Sequence, residues 1–109
     1  MARAIIAIAS NPSSADAEPA YNDWYTNTHL AEIRSAPGVI GPHRYRLPDA
    51  QVTPAERPHR YLTLVELDVE DLRTAVIGLL GRAAASPEAA KWMELDPMPA
   101  VTVWERLPG

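Results

Sequence analysis

The residues best suited to chemistry lie close together in the segment Tyr21–Ile33, which reads YNDWYTNTHLAEI. A histidine titrates near neutral pH and can both accept and donate a proton. A tyrosine hydroxyl can orient a carbonyl group or stabilise an enolate oxygen. We therefore expect proton transfer on a small carbonyl compound, with His29 as the acid or base and Tyr25 and Tyr21 as catalytic hydrogen-bond donors.

The spacing of these residues predicts that they share one face of a helix. At about 100° per residue, one broad sector holds six side chains: Tyr21, Trp24, Tyr25, Thr28, His29 and Glu32. This face is aromatic and polar, whereas a helix that only packs is usually aliphatic there. We expect Trp24, Thr28 and Glu32 to contact the substrate. The alternative is that Trp24 and Tyr25 pack against a sheet and that His29 is a structural histidine.

The segment Val39–Leu47 is a predicted strand with further candidates. Alternation of side chains places His43 and Tyr45 on one face and Arg44 and Arg46 on the other. Two arginines side by side can bind a carboxylate by bidentate contact, or form solvated or interfacial ion pairs. Which face meets the pocket and which meets a dimer interface stays open. The strands are expected to supply three substrate contacts: His43, Tyr45 and, from the next strand, Tyr61.

Composition removes several kinds of chemistry. The 109 residues include no cysteine, which excludes thiolate catalysis, disulfides and cysteine-based metal sites. The formal net charge of −4 argues against a nucleic-acid partner. The three histidines show no HxH or HxxxH spacing and no accompanying carboxylate cluster, so no metal is expected. No phosphate-cradling glycine loop is present, and we expect no cofactor.

The order of predicted elements is β-α-β-β-α-β. They are Ala4–Ala9, Ala20–Ser35, Val39–Leu47, Arg60–Asp68, a helix from Leu72, a short helix from Ser86 to Met93, and Ala100–Leu107. This order is typical of the α+β ferredoxin-like fold, a four-stranded antiparallel sheet with two helices on one face. The last strand is apolar on one side and carries Thr102 and Trp104 on the other. The open face of the sheet therefore needs a cover, and a homodimer would supply it.

The remaining expectations concern extent and location. The length predicts one domain over residues 1–109. About six consecutive apolar residues near the start are too few for a secretory signal, and no window approaches a membrane span. We expect a soluble, cytoplasmic protein with no membrane partner. The proline-punctuated loop Pro48–Pro58 is expected to be exposed, with His59 beside it at the surface.

The segment Tyr21–Leu47 resembles the helix–strand signature of the dimeric α/β-barrel superfamily, in particular its EthD-like branch and the small REDY-like HapK proteins. The matching residues are Trp24-Tyr25, His29-Leu30 with Glu32, Pro37-Gly38 and Arg44-Tyr45. The resemblance implies ferredoxin-like monomers paired sheet to sheet. It also implies that His29 is the pocket histidine of the first helix, with Trp24 and Tyr25 beside it.

Three functions are compatible with this resemblance, because the superfamily includes cofactor-independent enzymes, haem-dependent enzymes and proteins with no known activity. The first is a cofactor-independent cyclase, isomerase, lyase or monooxygenase that acts on a small hydrophobic, aromatic or polyketide-like carbonyl compound. The second is a non-catalytic accessory protein that binds such a molecule. The third is a haem protein with His29 as the axial ligand.

Overall fold

The computed structural model describes residues 2–109. Its elements are β1 (Ala2–Ser10), α1 (Glu18–Trp24), a π-helical turn (Tyr25–His29, the π turn), α2 (Leu30–Arg34), β2 (Val39–Arg46), β3 (Tyr61–Val69), α3 (Leu72–Ala84), α4 (Ala89–Trp92) and β4 (Ala100–Glu105). This order confirms the predicted succession of strands and helices.

The four strands form one antiparallel sheet in the order β2-β3-β1-β4. The apolar run of β1 occupies an inner position, as its burial requires. Ile6 pairs with Val65 on β3, and both are fully buried beneath the helices. This arrangement confirms the α+β, ferredoxin-like fold.

The opposite face of the sheet carries no helix in the described chain. Ile5 and Leu64 point to this face and are half-buried, and Trp104 on the edge strand β4 is 60% exposed. An apolar surface is therefore left open on the side of the sheet away from the helices.

Local signals explain where the elements begin. Pro19 lies in the first turn of α1, where a proline is tolerated because its missing N–H would have no helical partner. The Asp71 carboxylate caps α3 by accepting from the backbone N–H of Thr74 at 3.1 Å. Gly38 has φ of +84° just before β2, and a Cβ there would overlap Val69. Only glycine fits that reversal.

The first helical segment differs from the uninterrupted helix predicted for it. At the π turn, the N–H of Leu30 donates to the carbonyl of Tyr25, five residues earlier. Such a turn holds more residues than an α-helical turn and occurs frequently at functional sites. No helix within residues 2–109 is both long enough and apolar enough to cross a membrane.

Candidate functional site

The buried His29 is enclosed by aromatic side chains from its own helical segment. The imidazole is 3% exposed. It stacks on the Trp24 indole with ring centroids 4.5 Å apart and planes 22° apart, and it meets Tyr25 edge-on at 4.8 Å. These contacts hold the ring in one orientation between α1 and the sheet.

The second restraint on His29 is a carboxylate. The Nδ1 atom of His29 lies 3.1 Å from Oε1 of Glu32, and the Ser86 hydroxyl donates to the same oxygen at 2.9 Å. The carboxylate therefore favours a proton on Nδ1 and leaves Nε2, which has no partner among the described residues, as the basic atom. Burial lowers the pKa of His29, although the Glu32 carboxylate opposes that shift. The ring is thus set to accept a proton at neutral pH.

Tyr21 and Tyr25 lie in the same aromatic cluster as His29, and their side chains are neutral phenols. The Tyr21 hydroxyl is 2.6 Å from the Ser10 hydroxyl, and burial raises the pKa of Tyr21. Burial also raises the pKa of Tyr25 to about 12. The Tyr25 hydroxyl and the Trp24 Nε1 are buried with no hydrogen-bond partner of good geometry in the part of the chain that the structure describes, although the Thr63 side chain lies near enough to Tyr25 to oppose the rise in its pKa. Unpaired buried polar groups are costly, and both can donate to a ligand oxygen.

Arg44 of β2 completes the cluster. Its guanidinium carbon lies over three phenol rings, 4.4 Å from the centroid of one and 5.3 Å from each of the others: Tyr25, then Tyr21 and Tyr61. Its two terminal nitrogens donate to Asn22 Oδ1 at 3.0 Å and Thr26 Oγ1 at 3.1 Å. A positive charge is therefore held within the aromatic layer, where cation–π attraction is strongest.

Tyr61 joins the first helix to the sheet. Its hydroxyl donates to Glu18 Oε2 at 2.9 Å and accepts from Asn22 Nδ2 at 3.1 Å. Its ring lies 5.3 Å from that of Tyr21. Tyr61 thus borders the cluster on the side away from His29.

The structure brings together six of the nine predicted site residues: His29, Tyr25, Tyr21, Trp24, Glu32 and Tyr61. It does not bring Thr28 into the cluster. The π turn widens the helix at this point, so the α-helical spacing used in the prediction no longer holds, and Thr28 is exposed.

His43 and Tyr45 also lie away from the cluster. In the sheet they pair with Leu64 and Leu62, on the face that carries no helix. Arg44 pairs with Thr63, which points toward the helices. The alternation along this strand was predicted correctly, but the face that meets the aromatic cluster is the arginine face.

Arg44 and Ser86 are the participants that sequence reasoning did not place in the cluster. Arg44 could have been identified from the sequence, because it alternates with His43 along the strand and the sequence already offers it, with Arg46, as a contact for an anion. No signal identified Ser86, which lies 54 positions from Glu32 in sequence.

The cluster is closed in this conformation. The imidazole is 3% exposed, and His29 lines none of three cavities of about 320, 410 and 600 Å³ on the described surface. Among residues 2–109 no group of three or more His, Asp or Glu side chains could hold a metal ion.

Two solved structures are similar to this chain in fold. No protein-family model matches the chain, and no curated protein matches it in sequence. The crystal structure of HapK from Hahella chejuensis superposes with a TM-score of 0.69 at 15% identity, covering 97% of this chain and 94% of HapK. The chain has the HapK fold. An ethyl tert-butyl ether d (EthD) family protein from Bacillus halodurans C-125 superposes with a TM-score of 0.62 at 18% identity, covering 98% and 100% of the two chains.

The likeness to HapK and to the EthD protein confirms the expected EthD-like, HapK-type fold over nearly the whole chain. At these identities the likeness establishes the architecture alone, because one fold can carry many unrelated functions.

Proposed function

We propose that this protein is a cofactor-independent enzyme that moves a proton on a small hydrophobic carbonyl compound of aromatic or polyketide-like character. The proposal rests on one observation: the Glu32 carboxylate binds Nδ1 of the buried His29 imidazole and leaves Nε2 free. The same arrangement orients catalytic histidines elsewhere, because the carboxylate selects the tautomer and stabilises the imidazolium that forms.

The proposed chemistry starts with a carbon acid next to a carbonyl group. Nε2 of His29 takes the α-proton, and the electron pair of the C–H bond moves onto the carbonyl oxygen to give an enolate. The Tyr25 hydroxyl and Trp24 Nε1 are buried donors that can bind that oxygen, and the Arg44 guanidinium over the Tyr25 ring adds positive charge. In an isomerisation, the His29 imidazolium returns the proton to a different atom of the enolate. In a cyclisation, the enolate carbon forms a C–C bond with a second carbonyl carbon of the substrate, the π electrons of that carbonyl move onto its oxygen, and the imidazolium gives its proton to that oxygen.

Access to the imidazole requires the site to open. Because the His29 imidazole is almost fully buried, substrate has to displace part of the cover over it. The π turn is the segment suited to this, since it contains three consecutive exposed residues, Thr26–Thr28, and irregular hydrogen bonding. Lid movements of this kind commonly gate small active sites.

The test is exchange of α-protons for deuterium. A panel of aromatic ketones and 1,3-dicarbonyl compounds is incubated with the protein in D2O, and loss of the α-proton signal is followed by NMR. Exchange above the buffer rate is expected for at least one compound. His29→Gln should reduce it to the buffer rate, and Glu32→Gln should reduce it by roughly 10- to 100-fold, the usual range for a group that orients a catalytic base.

A matched control uses the histidine on the opposite face of the sheet. His43→Gln removes the same side chain away from the cluster and should exchange at the wild-type rate. Equal exchange by His29→Gln and wild type would rule out His29 as the base. A melting temperature measured for each variant separates loss of chemistry from loss of folding.

A second candidate is a non-catalytic protein that binds the same class of molecule. The closed state of the cluster favours it, because a packed imidazole needs no substrate to explain it. Saturable binding of a panel compound without any exchange would select this function. A third candidate is a haem protein with His29 as the axial ligand, and the absence of a Soret band after addition of haemin would exclude it.

We further propose that two copies pair through the open face of the sheet. Trp104 and Tyr45 on this face are 60% and 51% exposed, and Leu62 and Leu64 lie between them. Large exposed apolar side chains on an uncovered sheet face generally mark an interface. Light scattering after size-exclusion chromatography should give the mass of a dimer.

The matched pair of variants for this proposal places a charge on each side of the molecule. Trp104→Glu should give the monomer mass, whereas Ile77→Glu, at a 61% exposed position of α3, should leave the dimer intact. A monomeric wild-type protein at all concentrations would contradict the pairing.

A further inference from the structure

The carboxylate that fixes the His29 ring needs a partner of its own to stay in place. Glu32 has a long side chain, which is 32% exposed, so water competes for its oxygens. Within residues 2–109 the carboxylate has two hydrogen-bond partners, Nδ1 of His29 at 3.1 Å and the Ser86 hydroxyl at 2.9 Å, and both meet the same oxygen, Oε1. In the described chain, Ser86 is therefore the one group besides the ring itself that holds the carboxylate toward His29.

Ser86 is a fixed donor because its backbone is tied to the helices on either side of it. The residue lies between α3 and α4 and is 7% exposed. Its backbone N–H donates to the carbonyl of Ala83 at 3.3 Å, and its carbonyl accepts from the N–H of Ala89 at 3.2 Å. The serine side chain is short, so an anchored backbone leaves its hydroxyl few positions. The hydroxyl thus offers Glu32 a donor at a defined place.

The hydroxyl of Ser86 does not serve the local purpose that the sequence suggests. A serine followed by a proline, as in Ser86-Pro87, is a usual start of a helix, where the serine oxygen accepts from a backbone N–H of the first turn. Here α4 begins at Ala89 and has no side-chain cap. The hydroxyl donates instead to Glu32, which is 54 positions earlier in the chain. The start of α4 therefore does not explain the serine, whereas the His29 pair does.

We propose that Ser86 is a positioning residue for His29 and acts through Glu32. Its hydroxyl holds the Glu32 carboxylate against Nδ1, so that the neutral ring keeps its proton on Nδ1 and Nε2 stays free to take a proton from the substrate. The serine keeps its own proton throughout and makes no bond to the substrate. Its effect on turnover rests on the proposed function, but its effect on the ring can be measured with no substrate present.

The direction of the effect follows from the groups that act on the imidazole. Burial lowers the pKa of His29, the Glu32 carboxylate opposes that shift, and the nearby Arg44 charge adds to it. Without the Ser86 hydroxyl the carboxylate turns toward water, its opposition weakens, and the pKa of His29 should fall. A hydroxyl that only drew charge away from the carboxylate would have the opposite effect, because its loss would raise the pKa of His29.

The experiment is an NMR titration of the nitrogen-15-labelled full chain in the absence of substrate. The nitrogen signals of an imidazole show which ring atom carries the proton, and those of His29 are identified by their absence from the spectrum of His29→Gln. At about pH 8, above the ordinary pKa of histidine, we expect the wild-type proton mainly on Nδ1. Ser86→Ala should give a mixture of the two neutral forms and a lower titration midpoint for His29.

A second variant and a matched control separate the hydrogen bond from general disturbance. Ser86→Cys fills nearly the same space with a weak donor, so it should change the His29 signals in the same direction as Ser86→Ala. The control is Ser35→Ala, which removes an exposed hydroxyl that donates to the backbone carbonyl of Glu32 at 2.6 Å. It should leave the His29 signals unchanged. A melting temperature for each variant shows that it is folded.

Three outcomes would overturn the role of Ser86: a wild-type distribution of the proton in both Ser86 variants, a raised pKa of His29, or an equal change in Ser35→Ala. These outcomes are separate from those of the exchange test. If the wild type exchanges no panel compound, the proposed function fails while the spectrum still decides the role of Ser86. If it does exchange one, Ser86→Ala should slow that exchange by less than Glu32→Gln does, because the carboxylate is still present.

Discussion

Replacing Arg44 by alanine tests whether the cluster is held together from the sheet side. The side chain donates two hydrogen bonds, to Asn22 and Thr26, and its guanidinium lies over three tyrosine rings. Each hydrogen bond contributes about 1 kcal/mol to stability. The cation–π contacts add about 1–2 kcal/mol in total, because one charge is shared among the rings. We therefore expect Arg44→Ala to lower the free energy of unfolding by roughly 3 to 4 kcal/mol.

The assay is urea unfolding followed by circular dichroism at a fixed protein concentration, because dimerisation would make stability depend on concentration. Arg44→Lys keeps the charge but loses the two-pronged donor, so it should cost about half as much as the alanine variant. Arg46→Ala, two residues along the same strand, removes an exposed arginine and should change stability by no more than about 0.5 kcal/mol.

The comparison of these two alanine variants decides the outcome. If Arg44→Ala and Arg46→Ala unfold with the same free energy, the contacts of Arg44 with the tyrosine rings contribute nothing. The view of the cluster as a single helix-to-sheet unit would then be wrong.

Three further predictions concern pH and packing. Burial puts the folded-state pKa of His29 below its ordinary 6.5, so the unfolded chain binds more protons and the stability of the wild type should fall as the pH drops below about 6.5. His29→Gln should lack that part of the decline when urea titrations are repeated at several pH values. Identical declines for the two proteins would contradict the burial argument. Gly38→Ala should lower the free energy of unfolding by about 1–3 kcal/mol, since the φ is positive and the new methyl group overlaps Val69, and an unchanged melting temperature would refute the strain. Ser10→Ala should cost about 1–3 kcal/mol in thermal unfolding because it leaves the buried Tyr21 hydroxyl unpaired, whereas a neutral effect would mean that another group replaces the serine.

Most of the fold could be predicted from local patterns. The apolar run of β1 and the period-two alternation of β3 indicate inner strands, and Asp71 marks the start of α3 as a capping residue should. These signals depend on residues within a few positions of one another. They survive folding because tertiary contacts here reinforce the local preference.

The candidate site was only partly predictable, because the signals in the sequence connect only residues within a few positions of one another. Tyr21, Trp24, Tyr25, His29 and Glu32 meet because they lie within about three helical turns, which periodicity can detect. The π turn could not be predicted from periodicity, because an extra residue per turn leaves no clear mark in the sequence. This turn places Thr28 at the surface.

The sequence by itself determined which residues form strands and helices, the ferredoxin-like order, and the face of the first helix that carries the histidine. Only the tertiary structure decided that Arg44, rather than His43 and Tyr45, meets that face, and that Ser86 binds Glu32. The physical reason is that alternation along a strand has a period of two but no direction. Which set of side chains points to the helices depends on the register of β2 against β3, and that register is set by packing across the whole sheet.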